Sequence, residues 1–165
     1  MTVQTYILTL LMFLFFASRQ TDNRRTINTI DTDNLVFTNQ TKDTIDLNQK
    51  IGGRTLKQYF SDEKIPDLFK TVFRGERKLN DDDETLSLID SLFSKDKDRH
   101  PFYFLLVTKT MYWSDGAFSE PLGQSAKEYV ENESRQFLTY FKTEKILTEE
   151  DFNKWADYVA GEIGI

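Results

Sequence analysis

Cysteine is absent from this 165-residue chain, and proline and histidine are scarce, at three residues and one. Without Cys there is no disulfide, no thiolate metal site, no thiol nucleophile and no lipid attachment through sulfur. A single His100, with no second His or Cys beside it, is a poor basis for a zinc site. No internal repeat is visible, so a solenoid is not supported. Positive charge is in deficit, with 21 Lys and Arg against 27 Asp and Glu, a formal net charge of −6. That balance argues against nucleic acid or anionic lipid as a bulk-charge partner and favours a basic protein. The chain also lacks a Gly-x-Ser-x-Gly elbow, a phosphate-binding glycine loop and an EF-hand loop. No catalytic, cofactor-binding or metal-binding residue is therefore assigned, and no cofactor is expected.

What the chain does have begins at its front. Met1 to Ser18 carries no ionisable side chain except Tyr6, and Ile7 to Ala17 is almost wholly apolar. As a helix that core is roughly 17 Å long, short of the ~30 Å a hydrocarbon layer demands. It matches the apolar core of an export signal, which predicts a periplasmic or secreted protein. Two features run against this reading. Arg19, Arg24 and Arg25 follow the core rather than precede it, and no small-x-small cleavage site is present. An uncleaved anchor and a buried amino-terminal helix are the alternatives, and membrane contact is expected only through this segment if it is retained.

Residues 19–50 are rich in Thr, Asn, Asp and Gln, with apolar residues too scattered to order a core, and read as a polar tether. A short hairpin pairing Leu35–Thr38 with Thr44–Leu47 is the alternative there. Asn39-Gln40-Thr41 fits the glycosylation acceptor pattern, which requires a eukaryotic secretory route. Gly52-Gly53 marks the entry into a folded domain spanning 51–165.

The periodicity of that domain is helical. Ile65, Leu68, Phe69, Val72 and Phe73 make one apolar face, with Pro66 in the first turn and Gly75 as the stop. Asp81 to Glu84 caps a second helix whose face is Leu86, Ile89, Leu92 and Phe93. Lys95 to Arg99 is a solvated charged loop. Pro101 to Val107, continued through Met111, Tyr112 and Trp113, is about thirteen residues, too long for a typical strand. Apolar nearly all round, it predicts a central helix packed on several sides. A helix over Ser119–Glu131 should bury Leu122, Ala126, Tyr129 and Val130, and Asn132 should close it. Ser134 should cap a short helix carrying Phe137, Leu138 and Phe141. Thr148 to Asp151 resembles a capping box and opens a last helix, with Phe152, Trp155, Ala156 and Val159 inward and Gly161 as its end. The expected fold is all-α: a compact bundle of about six helices around the central helix 101–113, preceded by the polar tether.

Several residues invite a chemical reading beside a plainer one. His100 titrates near neutrality and suits a general base, but a polar residue closing a charged loop explains it. Asp115, Ser119 and Glu120 can be drawn as an acid/base pair with a nucleophile, and helix capping by Asp115 or Ser119 explains them equally. Asp81 to Glu84 reads as a cap rather than a calcium site. Phe102, Tyr103, Phe104, Tyr112 and Trp113 read as core, with an aromatic binding groove as the alternative. The outward carboxylates Glu128, Glu131 and Glu133 cluster at one helix end and are the candidate partner-binding residues.

Ser114-Asp-Gly-Ala117 through Leu122-Gly123, the Phe137–Phe141 helix and Trp155-Ala156 give residues 100–160 a resemblance to small exported all-helical proteins of bacterial envelopes that carry no assigned function. The resemblance implies an extracytoplasmic bacterial setting and no active site. The expected function is a non-enzymatic protein-binding module, most sharply a toxin-neutralising immunity protein, a type that is small, often acidic and free of catalytic residues. An envelope-acting hydrolase with a dispersed carboxylate site and a scaffold held by its amino-terminal helix are the alternatives.

Overall fold

Two adjacent glycines make a tight turn near the start of the compact unit Ile45–Ile165. In the computed structural model, which describes residues 45–80, 82–114 and 116–164, Gly52 and Gly53 have φ of 57° and 80°. They join β1 (Lys50–Ile51) to β2 (Arg54–Thr55), paired antiparallel with Lys50 opposite Thr55. Two consecutive positive φ values are what a two-residue hairpin loop requires, and glycine adopts them without a Cβ clash. Gly52 is also where the backbone meets the central helix, since a Cβ there would overlap the ring of Pro101. The apolar segment 1–18 read as an export signal, the Asn39 tripeptide, the first strand of the alternative hairpin, Asp81 and Asp115 lie outside the described residues. Order begins ahead of residue 51: the carbonyls of Leu47 and Gln49 accept from the amides of Lys57 and Leu56, and 45–47 forms no strand.

Seven helices follow among the described residues: α1 (Leu56–Phe60), α2 (Asp67–Phe73), α3 (Asp83–Asp90), α4 (His100–Thr110), α5 (Gly116–Asn132), α6 (Ser134–Thr143) and α7 (Glu149–Ile163). A 3-10 turn, Ser91–Phe93, ends α3. With only one two-strand ribbon beside them, the fold is all-α. The helix not anticipated is α1, although Thr55-Leu-Lys-Gln58 carries a full capping box: Gln58 N–H donates to Thr55 Oγ1 at 3.2 Å, and Thr55 N–H to Gln58 Oε1 at 2.8 Å.

The central helix is α4, contacted by α2, α3, α7, β1 and the 3-10 turn. Its side chains from Pro101 to Thr108 are all buried. Phe102 and Phe104 lie two residues apart, so they point to opposite sides of the helix, and each gathers its own aromatic cluster. Phe102 meets Tyr59, Phe60 and Phe73 at ring distances of 5.3, 6.0 and 5.5 Å. Phe104 meets Tyr140 at 4.7 Å, Trp155 at 5.1 Å and Phe137 at 6.1 Å. Such pairs add about 0.5–1.5 kcal/mol each beyond the area they bury. A helix with partners on both sides has no polar face to spare, which is why its sequence reads apolar throughout.

Several boundaries and faces differ from the sequence expectation. Pro66 is the N-cap of α2, not part of its first turn. In α3 the buried face is Thr85, Leu88, Ile89 and then Leu92, while Leu86 and Phe93 are half-buried. Thr85 can occupy a core position because its hydroxyl donates to the N-cap carboxylate of Asp82 at 2.8 Å. The central helix stops at Thr110, and Tyr112 and Trp113 lie exposed in a turn. Helix α5 starts three residues early, at Gly116, so Ser119 is inside it rather than capping it. Pro121 is tolerated because the carbonyl it leaves unpaired, that of Ala117, sits in an exposed first turn. Ser134 is the first residue of α6 and gives no cap; Tyr140 is buried beside Phe137, with Leu138 and Phe141 half-buried. In α7, Phe152 and Ala156 are half-buried, and Gly164, with φ of 72°, ends the helix instead of Gly161.

Candidate functional site

The solitary histidine is not a loop residue. It opens α4, is 4% exposed, and stacks between the rings of Tyr129 and Tyr140 at 5.9 and 5.8 Å. Its Nε2 lies 2.8 Å from the carbonyl of Leu92, which can only accept, so Nε2 carries the proton. Nδ1 is then the acceptor, taking the Tyr140 hydroxyl at 2.8 Å, and Gln136 donates its amide to that same hydroxyl at 3.1 Å. A relay of donors runs from Gln136 through Tyr140 and His100 to Leu92. Burial holds the His100 pKa below its ordinary value, against the opposing pull of the Leu92 hydrogen bond. Both ring nitrogens are occupied, so His100 is a satisfied core residue rather than a general base in waiting.

The outer edge of this relay faces a cleft of about 230 Å³. Leu92 and Phe93 form an apolar wall, His100, Tyr129 and Gln136 line it from α4, α5 and α6, and Lys95, Lys97 and Glu133 add charge. Tyr129 is fully buried, yet its hydroxyl has no hydrogen-bond partner among the described residues. Burial pushes its pKa well above the tyrosine range, and Tyr140 and Glu133 add to the shift.

The three candidate carboxylates separate in this setting. Glu128 and Glu131 are exposed on α5. Glu133 follows α5, lines the cleft and lies 3.8 Å from the ammonium of Lys95. Ser119 donates its hydroxyl to the Gly116 carbonyl of its own helix at 2.9 Å, and Glu120 is exposed. Neither is brought to His100. The acidic run before α3 serves the helix: Asp82 accepts from the Thr85 amide at 2.8 Å, and Glu84 pairs with Arg77 at 2.9 Å. No group of three or more His, Asp or Glu among the described residues converges to hold a metal ion.

At the other end of α4, roughly 18 Å along its axis from His100, lies a second feature. Asp151, 1% exposed, accepts the Thr148 amide at 2.9 Å on one oxygen, and Lys109 and the Tyr112 hydroxyl, both at 3.1 Å, on the other. Burial alone would raise its pKa; the Thr148 hydrogen bonds and the Lys109 charge outweigh that and hold it low. The shorter Asp side chain in this capping box thus also anchors Tyr112. The ammonium groups of Lys154 and Lys109 sit 5.5 and 5.7 Å from its ring centre. Trp113 follows, beside Ser114, which is hydrogen-bonded to the Tyr158 hydroxyl. The five aromatics singled out from sequence therefore divide into three core residues and an exposed pair. Their separation depends on where α4 stops, which the sequence pattern did not mark.

No helix among the described residues is long and apolar enough to cross a membrane. Comparison with known proteins finds no matching family model, no matching curated protein and no matching solved structure.

Proposed function

We propose that the chain is an exported, non-enzymatic protein-binding module that docks a basic partner, its sharpest form a toxin-neutralising immunity protein. The observation that carries the binding reading is the exposure of Tyr112 and Trp113, 37% and 46%, at the end of a helix otherwise buried. Tyr and Trp are favoured interface anchors because they bury large area with few rotors. Tyr112 is already fixed by Asp151 and flanked by Lys109 and Lys154, so docking orders little that is mobile. The partner's sign follows from charge: residues 1–44 hold four acidic and four basic side chains, so the whole −6 belongs to the remainder. That net charge would steer a basic partner toward the domain as a whole, whereas at Tyr112 itself the ammonium groups of Lys109 and Lys154 stand beside the ring. Export rests on the apolar segment 1–18, and the periplasm is the compartment that best suits it.

The hydrolase alternative calls for a carboxylate with a raised pKa. Asp62, Asp82, Asp96 and Asp151 are all displaced downward, opposite to the need of a general acid.

A photo-crosslinking residue placed at Trp113 in the producing cell tests the docking surface. The expected result is one basic polypeptide captured at 113 and lost when Tyr112→Ala is added. Capture from Glu131 but not from 113 would move the interface to the carboxylate cluster, and capture from neither would remove the protein-binding reading.

A further inference from the structure

One buried hydroxyl, that of Tyr129, has no hydrogen-bond partner among the described residues. Tyr129 stacks on His100 and packs against Phe93, Phe104 and Trp155, and phenylalanine would make every one of those contacts. A phenol withdrawn from water with nothing to bond is costly, so its presence calls for a partner that the described residues do not supply. Tyr129 lines the cleft together with Glu133 and Gln136, so the unpartnered hydroxyl belongs to a side chain of the cleft wall. His100 does not compete for a ligand, because both of its nitrogens are taken.

The charge lining the cleft selects the ligand. Glu133 is paired with Lys95, and Lys97 makes no ion pair with any described residue, which leaves one positive charge unmatched in the cleft lining. Leu92 and Phe93 offer an apolar wall. We propose that this cleft binds a small organic monocarboxylate, which accepts the Tyr129 hydroxyl, lays its apolar body against Leu92 and Phe93, and is balanced by Lys97. A neutral amide of the same shape satisfies the hydroxyl but not the charge, and a dianion exceeds the charge available. The site is independent of the docking surface at Tyr112 and Trp113, which lies at the opposite end of α4.

Calorimetric titration of the full chain with benzoate, butyrate and benzamide tests this, with circular dichroism as the check on folding. Saturable binding of at least one of the two acids is expected, with benzamide about tenfold weaker, the ratio a charge-assisted contact gives. Tyr129→Phe should keep the fold and weaken the acid about tenfold. Lys97→Ala should weaken the acid while leaving benzamide unchanged, and it keeps the proposal testable if the Tyr129 variant fails to fold. No saturable binding of either acid, equal binding of acid and amide, or full affinity in both variants would overturn the proposal.

Discussion

Trp155 donates its indole N–H to the hydroxyl of Thr108 at 2.9 Å, and Thr108 in turn donates that hydroxyl to the carbonyl of Phe104 at 2.8 Å. All three residues are fully buried, so this short chain ties α7 to the central helix where no water is available to replace it. Thr108→Val keeps the shape and removes the acceptor. It should cost about 1–3 kcal/mol by leaving the indole N–H unpaired. Urea melts read the loss, and an unchanged midpoint would show that the contact adds nothing.

The central position of α4 sets the cost of truncating it. Leu105 and Leu106 are fully buried. Leu105→Ala or Leu106→Ala should each lose about 2–5 kcal/mol. Gln124→Ala, at an exposed position of α5, should stay within about 0.5 kcal/mol. Equal midpoints for all three would contradict the packing.

His100 makes stability fall with acid. Its folded pKa lies below the ordinary 6.5 because burial disfavours the charged ring. At higher pH it is neutral in both states and contributes no slope. Below about pH 6.5 the unfolded chain takes up the proton first, so stability declines until the folded ring also titrates. His100→Gln should flatten stability between about pH 6.5 and 5, where most carboxylates have yet to titrate. A variant as steep as the parent in that range would assign the slope to other groups.

Glu128 and Glu131 are exposed and make no ion pair with described residues, so reversing them leaves the core untouched. With a basic partner in hand, Glu128→Lys with Glu131→Lys should slow association more than it speeds dissociation, and added salt should shrink the difference. The thermal midpoint should hold. Association that ignores both the reversal and the salt would leave these residues as solubilising charge.

Export has its own test. Residues 1–30 fused to a reporter active only outside the cytoplasm should give activity, and intact mass should show whether cleavage falls near Ala17–Gln20. Activity confined to a cytoplasmic reporter would overturn the localisation.

Local chemistry was readable from the chain. Thr148 and Asp151 sit three residues apart and form the expected capping box. Asp82 caps α3 through its own side chain. The apolar run after Pro101 is the central helix, because eleven helical residues with no polar face leave no other place for it. Each of these depends on residues within about one helical turn or on the period of one segment.

What the sequence by itself determined, then, is helices, caps and the identity of the central one. Tertiary structure decided the sites, because each is assembled across distant positions. His100 reads as a loop residue until Leu92, Tyr129 and Tyr140 close around it, and Tyr140 is 40 residues away. Tyr129 reads as one more core aromatic until its hydroxyl is found without a partner. Tyr112 and Trp113 differ from Phe102 in that α4 stops short of them, and Asp151, 39 residues beyond Tyr112, fixes the Tyr112 hydroxyl. Periodicity reports which face is apolar; what stands opposite that face is decided only when the helices pack.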